Sequence, residues 1–530
     1  MTPMNTGVDD QTFWDAIEGY CGRLSFAPGE TAAVHISCQT GQFDLVVEKW
    51  AGQRVEVWGA KGVAGQYHPA PPNADSEGCG WPVSVEIPIG QDWESGFYLV
   101  TLTALGAQRG RDTAHCCFVV RARAEDRQSV LLVLATNTWN AYNTWGGRSL
   151  YTGGHQVSFR RPFGRGMLCR ASVERDDRKA RPVRRGERPD IDGEIFQNYR
   201  TAHGYPSAIG SAGWFTHERR FVEWAYRNGF SFDMAVSADL DTVPDLADGY
   251  DLVLSVGHDE YWSATARDAI DTHIGGGANF ASFSGNTMFW QVRLVDGADG
   301  DAAAHMVCHK YRAHLDDPVV EGPDRAQMTG MWADPIVGRP EWSTLGAGSA
   351  FGLYHRFGQA TPTGMGGFSI VNPDHWVVAG TRLTYGDVVG SDDGVVGYET
   401  LGCPVQFDDC QRLVARPHAH QASDIDIIGF AFSSNLGIGQ YPKSIAALND
   451  QGDLEFIADR IYGEVNDQNL ARVRRGNAVI VACRPFGSTG GEVVTVGTTD
   501  WVFGLASDVQ VQTITANVVG GLGSASGRPS

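Results

Sequence analysis

Between positions 20 and 123 the apolar residues come in short runs or alternate with polar ones, at a spacing that suits strands. Runs at 31–37, 43–48, 55–58, 83–88, 96–102 and 115–120 are separated by turn chemistry at Pro28-Gly29, at Gly59-Ala-Lys-Gly62 and at Pro69-Ala-Pro-Pro-Asn73. Short strands at this interval predict an immunoglobulin-like β-sandwich over residues 15–124. Cys116 and Cys117 are adjacent on one such run, so their side chains are expected on opposite faces.

Past the charged junction at 121–127 the pattern changes. Residues 129–135 are one continuous apolar run, as for a strand buried on both faces. Helical spacing follows at 217–228, then apolar runs at 232–236, 251–256 and 278–284, with a helix over 264–273 between the last two. Strands alternating with helices predict a parallel sheet covered on both sides. The expected fold class is therefore mixed β and α/β, with a larger α/β domain over 128–520 built on a mostly parallel sheet. Residues 294–397, rich in Gly and Trp, read as a region covering the site. Further strands are expected at 478–483 and 491–497, a last helix near 511–519, and a frayed Gly/Ser-rich end.

The segment Asp251-Leu-Val-Leu-Ser-Val-Gly-His-Asp-Glu-Tyr-Trp-Ser263 concentrates the chemistry. An apolar run stops at Gly257, three ionisable residues follow, and Ser263 is placed as the N-cap of the next helix. The run 278–284 repeats the form and ends in Gly285-Asn286-Thr287. Ligands of open α/β sheets bind at the carboxyl ends of strands, so His258, Glu260 and Asn286 are expected at one crevice. The aromatic and polar stretch 137–145 is expected to face it as a loop. His258 and Glu260 suit a metal ligand or an acid/base element, or a helix entry with a satisfied histidine.

Composition narrows the classes. The chain has 530 residues, 42% of them hydrophobic, a formal net charge of -20 and a pI of about 5.1. That balance argues against a nucleic-acid partner, and the locally basic 160–188 reads as a solvated loop. No apolar run reaches the ~18 residues of a membrane span, and no secretory leader is expected in 1–14. The ten cysteines lack CxxC spacing, which suits reduced thiols in a cytoplasmic protein. Cys38 and Cys79 are a conceivable pair that nothing requires. No HExxH, Gly-x-Ser-x-Gly or GxGxxG element stands at a strand–helix turn. A glutaminase-like hydrolase needs a nucleophilic cysteine that Gly257-His-Asp-Glu260 does not supply.

Five segments resemble the large (beta) subunit of N,N-dimethylformamidase: Thr138-Trp-Asn-Ala-Tyr142, Gly147-Arg-Ser-Leu-Tyr151, Ser255-Val-Gly-His-Asp-Glu-Tyr-Trp-Ser263, Ser284-Gly-Asn-Thr-Met-Phe-Trp290 and Gly397-Tyr-Glu399. The resemblance implies a glutamine-amidotransferase-like core and one ferric iron bound by two tyrosines and a glutamate. It places these ligands at Tyr142, Tyr151 and Glu260, with iron ahead of zinc. It sets His258 and Asn286 beside the metal, Glu399 as a further active-site acid, and Lys310, or its neighbour His309, at a basic position. The activity implied is amidohydrolysis of a small non-peptide amide, in a homo-oligomer that a small partner subunit can join. The alternative is a protein that uses the same crevice to bind a small ligand without turnover. Asp259 departs from the proline expected there, and a lectin-like region is not matched.

Overall fold

The computed structural model of the chain describes residues 15–170, 204–206, 208–298, 300–357, 361, 364–441 and 452–524. Residues 1–14, the part of the basic segment beyond 170, and the chain end beyond 524 lie outside them.

The N-terminal part consists of β1 (Ile17–Cys21), β2 (Ser25–Phe26), β3 (Thr31–Cys38), β4 (Gln42–Trp50), β5 (Arg54–Ala64), β6 (Val83–Pro88), β7 (Gly96–Ala104) and β8 (Thr113–Val120). β1, β3 and β6 form one sheet, and β2, β8, β7, β4 and β5 form another in that order. Alternation along β7 and β8 decides what each face meets. Tyr98, Val100, Leu102, Cys116, Phe118 and Val120 join the apolar cluster shared with the three-stranded sheet. Phe97, Leu99, Cys117 and Val119 point the other way, into the cluster of the following part. β7 and β8 are thus buried on both sides, while β5 at the sheet edge is largely exposed, and Cys116 and Cys117 do face opposite ways. All ten cysteines are free, Cys38 and Cys79 among them.

Gly59-Ala-Lys-Gly62 is not a turn but lies inside β5. The register against β4 slips between Phe43 and Leu45, and Gly62, at φ 61°, donates its N–H to Asp44 Oδ1 at 2.8 Å. A bulge uses the same glycines that a turn would.

The second part is organised by a nine-stranded sheet. Its elements along the chain are β9 (Val130–Leu134), α1 (Thr136–Tyr142), α2 (Glu218–Arg227), β10 (Asp233–Val236), β11 (Leu252–His258), α3 (Ala264–Gly275), β12 (Asn279–Gly285), β13 (Phe368–Ile370), β14 (Val388–Val389), β15 (Asp426–Ser433), β16 (Gly476–Cys483), β17 (Val493–Val496) and α4 (Val509–Leu522). Strand order is β10-β9-β11-β12-β17-β16-β15-β13-β14. The sheet separates two apolar clusters. Leu252, Leu254 and Val256 enter one and Val253 the other, each such side chain contributing about 1.5–3 kcal/mol by burial.

The mostly parallel sheet expected from the sequence holds for only half of this one. Pairings from β10 to β17 are parallel; those from β17 to β14 are antiparallel. The reversal starts where loop 484–492 joins β16 to β17, because it is too short for a crossover helix. The stretch expected as a polar loop after β9 is instead helix α1, with every residue buried. Ser263 caps α3 as anticipated: its Oγ accepts from Ala266 N at 3.0 Å and donates to Asp241. Ahead of it, Tyr261–Ser263 forms a short strand paired in parallel with Trp290–Val295.

Candidate metal and acid–base site

His258 and Gly285 are register partners at the ends of β11 and β12, so the two strand ends meet at one edge of the sheet. Tyr142 ends α1, and its hydroxyl donates to Glu260 Oε2 at 3.2 Å. Tyr151 donates to the same oxygen at 2.6 Å, and the two phenol rings stack at 4.2 Å. Glu260 Oε1 accepts the indole N–H of Trp290 at 2.7 Å. The main-chain N–H of Glu260 donates to Thr138 Oγ1 at 2.9 Å, which ties the segment to α1.

His258 stands between two acids. Its Nε2 lies 2.6 Å from Glu399 Oε2 and 3.3 Å from Glu260 Oε2. Its Nδ1 lies 2.8 Å from Ser211 O and 3.3 Å from the Tyr398 hydroxyl. His258, Glu260 and Glu399 each offer one donor atom within 4.8 Å of the others. Asn286, at φ 52°, donates its amide N–H to Glu399 Oε2 at 3.2 Å and accepts from Ser349 Oγ at 2.6 Å. Gly285 is required here, since a Cβ on it would lie 2.3 Å from Glu399 O.

The stretch 294–397 expected as a cover sends β13 and β14 into the nine-stranded sheet. Lys310 comes from the same stretch. Its backbone also has φ 52°, a conformation that costs a side-chain-bearing residue about 1–2 kcal/mol. Its Nζ sits 3.4 Å from the centre of the Tyr151 ring and has no hydrogen-bond partner. His309 turns away, with Nδ1 3.0 Å from Thr329 Oγ1. Tyr142, Tyr151, His258, Glu260, Asn286, Lys310 and Glu399 therefore share one neighbourhood, and all but the half-buried Tyr151 are buried.

Burial sets the charges. It would hold the His258 imidazole neutral, but Glu399 and Glu260 overcome it and raise the pKa to about 10. Glu260 would be raised by burial, yet the His258 and Lys310 charges and the Tyr151 hydroxyl hold it below the usual value. Burial and then the Glu260 charge push both Tyr142 and Tyr151 well above the usual phenol value. These shifts favour an imidazolium at His258 beside a Glu260 carboxylate, with both phenols protonated.

Sequence reasoning missed Thr138, Ser211, Trp290, Ser349, Tyr398 and Tyr261, whose hydroxyl lies 2.8 Å from that of Tyr151. Trp290 lies inside a segment already singled out, and its N–H is a donor needing a buried acceptor. That is the one signal that pointed to it.

Ser349, which orients Asn286, is held in turn by Glu341, whose Oε1 accepts the Ser349 N–H at 2.8 Å. Burial raises the Glu341 pKa from 4.5 to about 7, and its Oε2 has no partner. Below pH 4.5 the group is protonated in folded and unfolded chains alike and costs nothing. The cost grows as pH rises to about 7 and is constant above it, at roughly 3 kcal/mol. Glu341→Gln is therefore expected to stabilise the protein at pH 8 and to leave it nearly unchanged at pH 4.5. Denaturant unfolding at the two pH values measures this; an equal effect at both removes the account.

The family model described as N,N-dimethylformamidase beta subunit-like, C-terminal, matches residues 47–514. No curated protein matches the chain. Among the described residues no helix is long and apolar enough to cross a membrane.

Proposed function

We propose, since this chain belongs to the N,N-dimethylformamidase beta subunit-like family, that its buried site is a mononuclear iron centre hydrolysing a small non-peptide amide. One observation carries the reading: two phenols converge on a single oxygen of Glu260, with His258 and Glu399 beside it. Tyr142, Tyr151 and Glu260 would hold the ion, because phenolate and carboxylate are hard donors suited to a ferric cation. Burial and the Glu260 charge hold both phenols protonated in the metal-free chain, so binding of the cation would have to displace those protons. When bound, the ion supplies Lewis acidity for the amide carbonyl and for a water.

The remaining work falls to side chains. His258, cationic at neutral pH, is the proton donor for the leaving amine. Glu399, 2.6 Å from it, takes up the proton released by the attacking water. Asn286 fixes Glu399 rather than meeting substrate, because its N–H is already directed there. Lys310 Nζ, without a hydrogen-bond partner, is placed to stabilise charge developing on the carbonyl oxygen. Burial of these groups favours a small substrate and strengthens each electrostatic contact.

A second reading has one observation in its favour: His258, Glu260 and Glu399 also make a compact donor set, which suits zinc and keeps hydrolysis as the chemistry. Binding of a small ligand without turnover is the alternative outside enzymology, and an amide-hydrolysis assay on metal-loaded protein separates it from both. The family's description as beta subunit-like supports a multi-chain assembly, either of this chain alone or with a small partner. Ten free thiols support a cytoplasmic location. The two N-terminal sheets are read as an immunoglobulin-like sandwich, and the larger part as a core of glutamine-amidotransferase-like kind.

Purified protein is expected to carry about one iron per chain, with phenolate-to-iron charge-transfer absorption. Tyr142→Phe and Tyr151→Phe should each lose iron or shift that absorption. A hydroxyl with no ligand role would cost only about 1–2 kcal/mol of stability. Iron analysis, absorption and melting of both variants decide. Full iron, unshifted absorption and earlier melting would place the ligands elsewhere.

A further inference from the structure

We infer that Trp290 is a positioning residue that confines Glu260 to ligation through one oxygen and so keeps a coordination position open for water. This rests on the iron reading above. A carboxylate can bind a cation through one oxygen or both. In this site the two oxygens are already divided. Oε2 collects the Tyr142 and Tyr151 hydroxyls and lies 3.3 Å from His258 Nε2. Oε1 is taken by the Trp290 indole at 2.7 Å.

Trp290 is well fixed for this task. Its side chain is 1% exposed. Phe289, Tyr311 and Phe456 lie against the ring at centroid distances of 4.5, 5.1 and 5.7 Å. Its main-chain N–H also donates to Glu260 O at 3.0 Å, within the parallel pairing of Trp290 with Tyr261. The backbone contact sets the height of the indole against the carboxylate, and the packed ring sets its angle. An indole N–H only donates and cannot itself be a ligand, so its effect on the metal passes through Glu260. Outer hydrogen-bond partners of this kind orient ligands and tune what the metal does.

The test replaces Trp290 with Phe and, separately, with benzothienylalanine, which keeps the bicyclic shape and lacks the N–H. Iron content, the energy of the phenolate-to-iron band, amide turnover and melting are read in the full chain. With Oε1 released, the second oxygen adds electron density to the iron and fills the open position. The band should then move to shorter wavelength and turnover should fall about 10–100-fold with iron content kept. A merely structural tryptophan would lower melting and leave the band where it was. An unmoved band and undiminished turnover in the benzothienylalanine variant would overturn the inference while leaving the iron reading intact. Absence of iron and of the band in the unmodified chain would instead remove the reading beneath it. If the Phe variant does not fold, the isosteric variant decides alone.

Discussion

On the proposed iron reading, Glu260→Gln is expected to give a folded protein that retains no metal and lacks amide turnover. The substitution keeps the shape, and the new amide oxygen can still accept the Trp290 N–H that Oε1 accepts at 2.7 Å. What it removes is the anion on which Tyr142 and Tyr151 converge. Loss of a ligand should exceed the about 10–100-fold penalty that follows loss of an outer partner. Two opposing changes limit the cost to stability. The site sheds a desolvated charge, and His258 keeps Glu399 at 2.6 Å; two phenol hydrogen bonds weaken, at about 1 kcal/mol each. Metal analysis beside a melting curve provides the check. Full metal retention in this variant would remove Glu260 from the ligand set and shift weight to the other donors.

His258→Asn should behave in the opposite sense, keeping the metal and losing the reaction. Imidazole is placed beside the proposed ligands, and its Nε2 touches both acids. Removing the proton donor should cost about 10²–10⁴ in turnover, the usual weight of a positioned acid or base. Single-turnover amide hydrolysis with parallel metal analysis separates the outcomes. Loss of metal together with activity would favour the zinc-type set, in which His258 is itself a ligand.

Much of this site could be read before the fold was known, for identifiable reasons. β11 and β12 are buried on both faces, so they wrote themselves as largely apolar runs interrupted only by small serines, and the polar residues at their ends stood out. Ser263 announced α3 because a hydroxyl is the ordinary partner of a helix's free N–H groups. Tyr142 and Tyr151 were different. Neither has a pattern of its own, and only resemblance brought them forward. α1 was missed because Thr136, Asn137, Thr138 and Asn140 are types that favour turns and caps over helix interiors, and their burial leaves no apolar stripe to reveal a helix. The antiparallel half of the sheet was missed because a buried strand reads the same in either direction. Trp290 and Ser349 act across the fold, on Glu260 and Asn286, and no local spacing encodes such a contact.

The two-sided burial of β7 and β8 has a bearing on how this chain can be handled and how it can have been assembled. Phe97, Leu99, Cys117 and Val119 belong to the same apolar cluster as Val130, Leu132 and Leu134. Cutting at the junction would therefore not release two finished pieces. One fragment would carry a sheet with a bare oily side, and the other a sheet stripped of a wall. Domain boundaries are usually places where few contacts cross, and this one is a boundary in pattern but not in packing. The N-terminal strands are part of the scaffold that the larger part is packed against, rather than a detachable accessory.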